Sequence, residues 1–380
     1  MQYFSTMPDQ HLHIIAFDIP VPVNYGGAID IFYKLKSLYK AGIKIHLHCF
    51  EYDRKPSPLL DDLCVEVNYY KRDNSKTKLF SSLPYIVATR YSQELLTNLL
   101  KDDYPILFEG LHTCYLLNNK KLKNRKKIVR THNIEHEYYG SLANVEKNMF
   151  RRYYFLNEAG KLARFEKQLD HANGIAAISM NDAAHFSHKY KNVRTISAFH
   201  PNEQIASKPG KGTYALYHGS LEVGENNEAA LFLANEVFND LKIKLIIAGN
   251  KPSSALKAAV SSKKNISLKM GITSDEIYHL ISDAHVNILP TFQATGIKLK
   301  LLAALFRGRF CLVNTPMIEK TGLESLCICK NSAEEFKMEL INLFTKEYQL
   351  SENKKREEIL LHNGFSNDYN AAALTELIFG

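Results

Sequence analysis

The sequence lacks any apolar run near the roughly 18 residues that a membrane-spanning helix needs. Its first residues, MQYFSTMPDQHLHIIAFD, also lack the basic segment and long apolar core of a secretory signal. The six cysteines have no zinc-like spacing, because the lone C-x-C pair, Cys327 and Cys329, has no second pair near it. These absences predict a cytoplasmic protein with reduced thiols rather than disulfides or a metal site.

The composition indicates a soluble globular protein, with 45% apolar and 23% charged residues in a chain of 380. This length predicts two or three domains. The net charge of +8 is uneven. Residues 1–200 contain 28 Lys and Arg against 20 Asp and Glu, and residues 201–380 contain 20 of each. Any acidic partner is therefore expected to meet the first half.

Strand and helix patterns alternate along the first half. LHIIAFD, IKIHLHCF, PILFEG, KIVRTHN and GIAAIS are strand candidates, and IKIHLHCF alternates apolar with polar residues, which predicts one wetter face. AIDIFYKLKSLYKAG has helical spacing and ends at Gly42, and a long amphipathic helix is predicted from Glu146 to Ala172. Alternating strands and helices predict a mainly parallel sheet.

The same alternation returns after residues 198–212, a Pro-, Ser-, Gly- and Lys-rich segment that we interpret as a linker. YALYHGS, IKLIIAGN, NISLK, HVNILP and FCLVN are strands in this reading, and about Ser351 to Phe379 is helical. We thus expect an α/β protein with two doubly wound, Rossmann-like domains, residues 1–197 and 213–380, facing each other across a cleft. The final helix could cross back to the first domain.

Several segments in this order resemble the GT-B glycosyltransferases, and in particular the retaining glycosyltransferase family 4. They are PVPVNYGG, RTHNIEHEYY followed by GIAAISMND, YHGSLEVGENNEAALFL, IKLIIAGN and HVNILPTFQATGIKLKLLAALFRGRFCLVN. Together they cover most of the chain. The resemblance implies transfer of a sugar from an activated donor, with no metal and no other cofactor, the first domain binding the acceptor and the second the donor.

In the first domain, the resemblance places the Gly26-Gly27 turn beside the donor sugar and phosphates, although the pair could simply make a tight turn. It makes His132 a catalytic contact to the transferred sugar, unless that ring only satisfies loop backbone. Asn133 follows the same strand and could bond sugar hydroxyls. Glu109, like His112, follows another strand end and could bind the acceptor, or be structural.

In the second domain, Gly219 and Ser220 end a strand before a helix and are predicted to approach the donor phosphates. Thr295, Gly296 and Lys298 occupy the family's donor loop, and Lys298 would stabilise the departing diphosphate. The sequence departs from the family in four places, two of which are Thr295 at the first of two usual glutamates and the neighbourhood of Asn226 at a usual lysine. Ser220 replaces a usual arginine, and Ala303 replaces the glutamate that normally holds the ribose.

The segment Lys120–Lys127 contains six cations in eight residues and is either a solvated loop or a contact to an anionic membrane. A nucleic-acid partner is not expected, because no binding module accompanies it. We therefore predict a cytoplasmic enzyme, peripheral on the inner face of the membrane, that glycosylates a glycan or lipid-linked acceptor. The alternatives are a non-catalytic glycosyltransferase-like subunit and, less favoured, a sugar-nucleotide epimerase.

Overall fold

The computed structural model describes residues 9–292, 299–362 and 364–380, which form two compact units. The first unit comprises Met1–Pro201 with Asn367–Gly380, and the second comprises Asn202–Ser366. The division between them falls inside the segment that the sequence marks as a linker. The carboxyl-terminal helix, which the sequence placed in the second domain with a return to the first, belongs to the first unit.

Each unit contains a parallel sheet. The strands of the first are β1 (His11–Ala16), β2 (Lys44–Glu51), β3 (Glu66–Lys71), β4 (Ile106–Glu109), β5 (Lys127–Thr131), β6 (Gly174–Ala177) and β7 (Val193–Thr195). Those of the second are β8 (Tyr214–His218), β9 (Lys244–Ala248), β10 (Ile266–Lys269), β11 (Val286–Leu289), β12 (Phe310–Val313) and β13 (Ile328–Cys329). Their orders are β3-β2-β1-β4-β5-β6-β7 and β10-β9-β8-β11-β12-β13. Both are doubly wound orders that reverse beside the first strand of the unit.

Helices connect and cover these strands. They are α1 (Gly26–Lys40), α2 (Tyr85–Ala88), α3 (Gln93–Leu99), α4 (Glu135–Val145), α5 (Met149–Phe165), α6 (Met180–Ser187), α7 (Gly224–Phe232), α8 (Ser254–Ser261), α9 (Ser274–Asp283), α10 (Leu299–Arg307), α11 (Thr315–Ile318), α12 (Ala333–Thr345), α13 (Ser351–His362) and α14 (Asn367–Phe379). Across the described ranges, no helix is both long and apolar enough to cross a membrane.

The α/β class with two Rossmann-like parallel sheets is confirmed, but several short elements were missed. The sequence patterns did not predict β3, β7, β13 or α4. The predicted helix from Glu146 to Ala172 is α-helical only from Met149 to Phe165, and the tail divides into α13 and α14. Strands of two to six residues at a sheet edge carry too few apolar residues to show a period.

The carboxyl-terminal helix α14 completes the core of the first unit. Leu374 and Leu377 are buried with Leu35 and Leu38 of α1 in one apolar cluster. Asn370 also accepts a hydrogen bond from the backbone N–H of Ser197 at 3.1 Å. Apolar burial and backbone bonding together explain why the tail belongs to the first unit.

The predicted wetter face of β2 is wrong, because its polar positions are buried histidines. The His13 and His48 rings lie side by side, with Nδ1 of His13 2.8 Å from Nε2 of His48. His13 Nε2 lies 2.9 Å from Asp102, and the Tyr70 hydroxyl lies 2.8 Å from His48 Nδ1. One chain of neutral donors satisfies every contact, with Tyr70 donating to His48, His48 to His13, and His13 to Asp102.

Burial sets the protonation state of this histidine pair. Burial lowers the pKa of His48 well below its ordinary value, and the neighbouring His13 and His46 rings lower it further. Burial also lowers the pKa of His13, although Asp102 opposes the shift. Below about pH 6.5 the unfolded chain therefore binds protons that the folded chain excludes, so stability is lost as the pH falls.

We predict that the free energy of unfolding falls between pH 7.5 and pH 5.5, by up to about 1.4 kcal/mol per pH unit for each excluded proton. Urea unfolding at several pH values measures it. His48→Gln should make this dependence less steep, because His112 and His218 also exclude protons, whereas the same change at exposed His171 should leave it as in the wild type. A pH dependence that His48→Gln leaves unchanged would show that other groups cause it.

Candidate functional site

Two strands of the first unit end in polar side chains at one edge of the sheet. Glu109 is the last residue of β4, and His132 and Asn133 directly follow β5. Because the strands are parallel, their carboxyl ends share an edge, which is where doubly wound sheets bind ligands. The fold therefore brings these three predicted site residues to one edge.

A network of four buried charges supports this edge. Asp30 and Lys34 lie one turn apart on α1, and Arg130 lies in β5. The Lys34 ammonium donates to Asp30 at 2.9 Å and to both oxygens of Glu109 at 2.7 and 2.9 Å. Arg130 donates to Asp30 at 3.0 Å and to the Ser197 carbonyl at 2.9 Å. Two acids and two bases balance, as buried charges require.

The His132 ring is fixed by this network. Its Nε2 lies 2.9 Å from Glu109 Oε2, and its Nδ1 lies 3.9 Å from Asp30 Oδ2. The Phe17 ring packs edge-on against it with centroids 5.4 Å apart. A carboxylate that accepts from Nε2–H keeps that proton on Nε2 and fixes the orientation of the ring. The histidine is therefore oriented before any ligand binds.

The two carboxylates of the network stay ionised. Burial alone would raise the pKa of Glu109, but the Lys34 ammonium and the bond from His132 outweigh it and lower that pKa. Burial is likewise outweighed at Asp30, where Arg130 and Lys34 hold the pKa far below its usual value. The charges that orient His132 therefore do not change near neutral pH.

These contacts bear on the role predicted for Glu109. Its side chain is fully buried, and both of its oxygens are bound by Lys34 and His132. Glu109 therefore orients His132, and its contact with an acceptor stays a prediction. Asn133 is half-buried, and its acceptor contact stays a prediction.

A second polar pair, of which the sequence analysis named only His112, adjoins the first through Phe17. The Phe17 and His112 ring centroids are 5.0 Å apart, and His112 Nδ1 is 3.8 Å from Glu135 Oε1. Burial and the nearby Asp182 carboxylate raise the pKa of Glu135 to about 8. Burial lowers the pKa of His112 well below its usual value. Both groups are thus neutral at pH 7, which suits hydrogen bonding to uncharged hydroxyls.

The first turn of α1, which begins with Gly26 and Gly27, lies against the same aromatic ring. A Cβ atom at Gly27 would lie 2.6 Å from Phe17 Cζ, so the packing of Phe17 requires glycine there. The preceding loop, residues 18–25, is held by Arg54, which donates to two of its carbonyl oxygens at 2.7 and 3.1 Å. Gly26 is exposed at the helix start. Donor binding by Gly26 and Gly27 stays a prediction.

The basic segment Lys120–Lys127 lies elsewhere. It leads into the first residue of β5 and so lies at the amino edge of the sheet, opposite His132. Arg125 and Lys127 are buried, and each donates to backbone carbonyls, Arg125 to Tyr104 at 2.7 Å and Lys127 to Leu117 at 2.8 Å. The predicted six-cation surface is therefore wrong for these two. The exposed cations of the segment are Lys120, Lys121 and Lys123.

In the second unit, the loop after β8 contains Gly219 and Ser220. The Asn226 side chain lies against Gly219, where a Cβ would be 3.2 Å away, and donates to the Ser220 carbonyl at 3.0 Å. Lys300 of α10 donates to Asn226 Oδ1 at 2.7 Å. The sequence analysis assigned the diphosphate contact to Lys298 of the same KLK run and did not name Lys300. In the structure, Lys300 is the cation that lies beside this loop.

A buried histidine adjoins Lys300. His218 ends β8, and burial together with the Lys300 charge lowers its pKa to about 3, so the ring is neutral. Among the described residues, its Nε2 has no hydrogen-bond partner. Close by, the Thr291 hydroxyl donates to Glu225 of α7. This edge therefore combines a cation, a neutral ring nitrogen and a glycine loop.

Three predicted donor residues, Thr295, Gly296 and Lys298, lie outside the described residues, and their roles stay predictions. Ala303, which replaces the family's usual glutamate, is buried on α10. It belongs to an apolar cluster with Leu216, Ala248, Ile281 and Ala284. A carboxylate at this position would be surrounded by apolar groups.

Within the part of the chain that the structure describes, two sets of side chains have ligand types and spacing that could hold a metal ion, namely Asp30 with Glu109 and His132, and His136 with Glu166 and His185. In each set a lysine ammonium already donates a hydrogen bond to one of the carboxylates. Lys34 donates to Glu109 at 2.7 Å, and Lys189 donates to Glu166 at 2.9 Å. Each set of candidate metal ligands therefore already binds a positive charge, which a metal ion would have to displace.

We predict that Lys34→Met destabilises the fold by about 3–5 kcal/mol, because it leaves Asp30 and Glu109 as buried acids with too little compensating charge. Lys36→Met, on the exposed face of the same helix, is the matched control and should change stability by less than about 0.5 kcal/mol. Chemical unfolding measures both. Similar stabilities for the two variants would contradict a structural role for the network.

Comparison with known proteins gives one sequence relative and several structures. No family model matches the sequence. An uncharacterized 44.6 kDa protein from the cps region of Klebsiella pneumoniae is 27% identical over 328 residues, which are 81% of this chain and 84% of that protein.

The structural matches extend over nearly the whole chain. TarM has a TM-score of 0.67 at 11% identity, covering 98% of this chain and 99% of TarM. The lipopolysaccharide outer core galactosyltransferase WaaB has a TM-score of 0.63 at 13% identity, covering 97% and 100%. The UDP-forming trehalose-phosphate synthase of Burkholderia xenovorans has a TM-score of 0.63 at 8% identity, covering 98% and 100%. These neighbours are GT-B glycosyltransferases, and the chain has the GT-B fold.

Proposed function

We propose that this protein is a retaining glycosyltransferase, related to family 4, that moves a sugar from a nucleotide-activated donor to a glycan or glycolipid acceptor. The match of the whole chain to GT-B glycosyltransferases carries the proposal. A mutant of S. aureus TarM was solved with UDP and alpha-GlcNAc-glycerol. The cps region of the Klebsiella relative and the lipopolysaccharide acceptor implied by the WaaB name favour cell-surface polysaccharide synthesis in the cytoplasm.

In this proposal, the second unit binds the donor. Its diphosphate would lie on the loop at Gly219 and Ser220, with the Lys300 ammonium beside it and Lys298, Thr295 and Gly296 contributing as the sequence predicts. Lys300 would exchange its 2.7 Å bond to Asn226 for a charge-assisted bond to a phosphate oxygen. Such cations, with loop amides, neutralise the leaving diphosphate without requiring a metal ion.

The first unit would bind the transferred sugar and the acceptor. The His132 ring, oriented by Glu109, would contact the sugar near its reacting carbon. The protonated Glu135 and the neutral His112 add uncharged donors and acceptors for hydroxyl groups. Such neutral groups favour an uncharged ligand such as a sugar, because no ion has to be desolvated when it binds.

The reaction that we propose is a front-face displacement. The bond between the anomeric carbon and the diphosphate oxygen breaks, and the acceptor hydroxyl oxygen bonds that carbon on the same face. The hydroxyl proton passes to the departing phosphate oxygen, so configuration is retained and no enzyme nucleophile is needed. Lys300 and the loop amides stabilise the charge that develops on the diphosphate.

A non-catalytic glycosyltransferase-like subunit is the second candidate, favoured by one observation. Ala303 lies among apolar side chains where the resembled family holds the ribose with a carboxylate. Turnover of donor by the purified protein separates the two functions, because a non-catalytic subunit would bind acceptor or partner without releasing nucleotide.

We predict that His132→Ala lowers turnover by about 10- to 1,000-fold, the scale of losing one transition-state hydrogen bond. Thermal stability should change little, since Lys34 still binds both oxygens of Glu109. Nucleotide release from sugar-nucleotide donors measures the rate. His171→Ala, at an exposed site, is the control. Wild-type turnover by folded His132→Ala would remove this residue from the site.

We predict that Lys300→Ala weakens nucleoside diphosphate binding by about 10- to 150-fold, the value of one charge-assisted hydrogen bond. Titration calorimetry with UDP, GDP and ADP measures this loss and identifies the base. Lys251→Ala is the control, because Lys251 is exposed and pairs with Glu222 on the surface. Equal affinities of the two variants would place the diphosphate away from Lys300.

A further inference from the structure

Helix α5 has two dissimilar faces. One face buries Leu162 and Phe165 in the core of the first unit. The other exposes large apolar side chains near the helix start, where Phe150 is 89% exposed and Met149 and Tyr153 are each 74% exposed. Exposed apolar groups clustered in this way mark an interaction surface.

The apolar side chains continue along the outer face at helical spacing. Met149, Tyr153 and Leu156 lie at positions i, i+4 and i+7, so they form one stripe along the helix. Phe150 lies beside the stripe. A surface helix normally has one apolar stripe, which faces the core. Helix α5 has a buried apolar stripe and a second apolar stripe that is exposed.

The exposed charges around the stripe are cationic. Within residues 146–167, all of which the structure describes, Glu158 and Glu166 are buried, and the partly buried Glu146 pairs with Arg151 at 3.3 Å. The exposed charged residues of this segment are all cations, namely Lys147, Arg151, Arg152, Arg164 and Lys167. An exposed apolar stripe bordered by cations is the pattern of a helix that lies on an anionic lipid surface.

The chain path puts the start of α5 on the same side of the sheet as His132. Helix α4 begins at the carboxyl edge directly after β5 and packs along α5, which leads through a short turn to the amino end of β6. Helix α5 is about 25 Å long, which is longer than the strands β5 and β6. Because it ends near the amino end of β6, its start lies beyond the carboxyl edge. The exposed residues and the candidate acceptor site therefore lie on one side of the first unit.

We propose that the α5 patch, defined as Lys147, Met149, Phe150, Arg151, Arg152, Tyr153 and Leu156, docks on an anionic phospholipid surface. A second copy of the chain is disfavoured as the occupant, because self-pairing would bring exposed cations against cations with no exposed acid in the segment. Docking itself depends on these residues alone. Delivery of a lipid-linked acceptor to His132 by this docking rests on the proposed function.

Co-sedimentation of the full-length protein with vesicles tests the proposal. The wild type should bind vesicles of equal parts phosphatidylglycerol and phosphatidylcholine, and bind phosphatidylcholine alone much more weakly. Lys147→Ser with Arg152→Ser should lower the partition coefficient by about 30-fold, since each cation contributes about 1 kcal/mol near such a surface. Phe150→Ser with Tyr153→Ser should lower it at least about tenfold.

Two matched controls separate the patch from general charge and aromatic content. The triple change Lys120→Ser, Lys121→Ser and Lys123→Ser removes exposed cations at the opposite edge and should leave binding within about twofold. Tyr39→Ser with Tyr369→Ser removes two half-exposed aromatics elsewhere and should have as little effect. All altered residues are exposed, and circular dichroism confirms folding.

Three results would overturn the proposal. Unchanged vesicle binding in both patch variants would exclude the patch, and loss of binding in the lysine triple variant would assign the membrane contact to the amino edge. A wild-type dimer in sedimentation velocity that dissociates on Phe150→Ser with Tyr153→Ser would show that a second copy covers the patch. Nucleotide titration without vesicles keeps failure here distinct from failure of the transferase proposal.

Discussion

The Lys34 ammonium holds together the part of the first unit on which the candidate site depends. It joins Asp30 of α1 to Glu109 of β4, and Arg130 of β5 completes the charge balance. Asp30 also accepts from the Phe199 backbone N–H at 2.8 Å. One ion network thus joins α1, the ends of β4 and β5, and the segment that follows β7. His132 is therefore held in a fixed position.

The first unit accommodates buried polar groups in two ways within one sheet. At the carboxyl edge, ionised groups are paired, and their partners keep them charged. Within β1 and β2, His13 and His48 are kept neutral by burial and bonded to each other. We expect acid to act on the second arrangement first, because protons enter the unfolded chain near the ordinary histidine pKa.

The two units supply different chemistry to the proposed reaction. The first offers an oriented imidazole together with neutral groups, such as the protonated Glu135, which suit hydroxyls. The second offers Lys300 beside a glycine loop, which suits phosphate oxygens. The apolar and cationic outer face of α5 adds a surface for lipid on the side of the sheet that carries His132.

The sequence by itself determined the α/β class, both sheets and the strand ends that bear Glu109, His132 and Gly219, because buried parallel strands are short apolar runs followed by polar turns. It did not reveal that Lys34 donates to both oxygens of the Glu109 carboxylate, since the two residues lie 75 positions apart and only the fold brings them together. A buried Asp30–Lys34 pair at i, i+4 looks the same in sequence as a solvated one. Likewise, a run of cations does not show which are buried. Tertiary structure decided these roles, because burial and pairing depend on what packs against a residue.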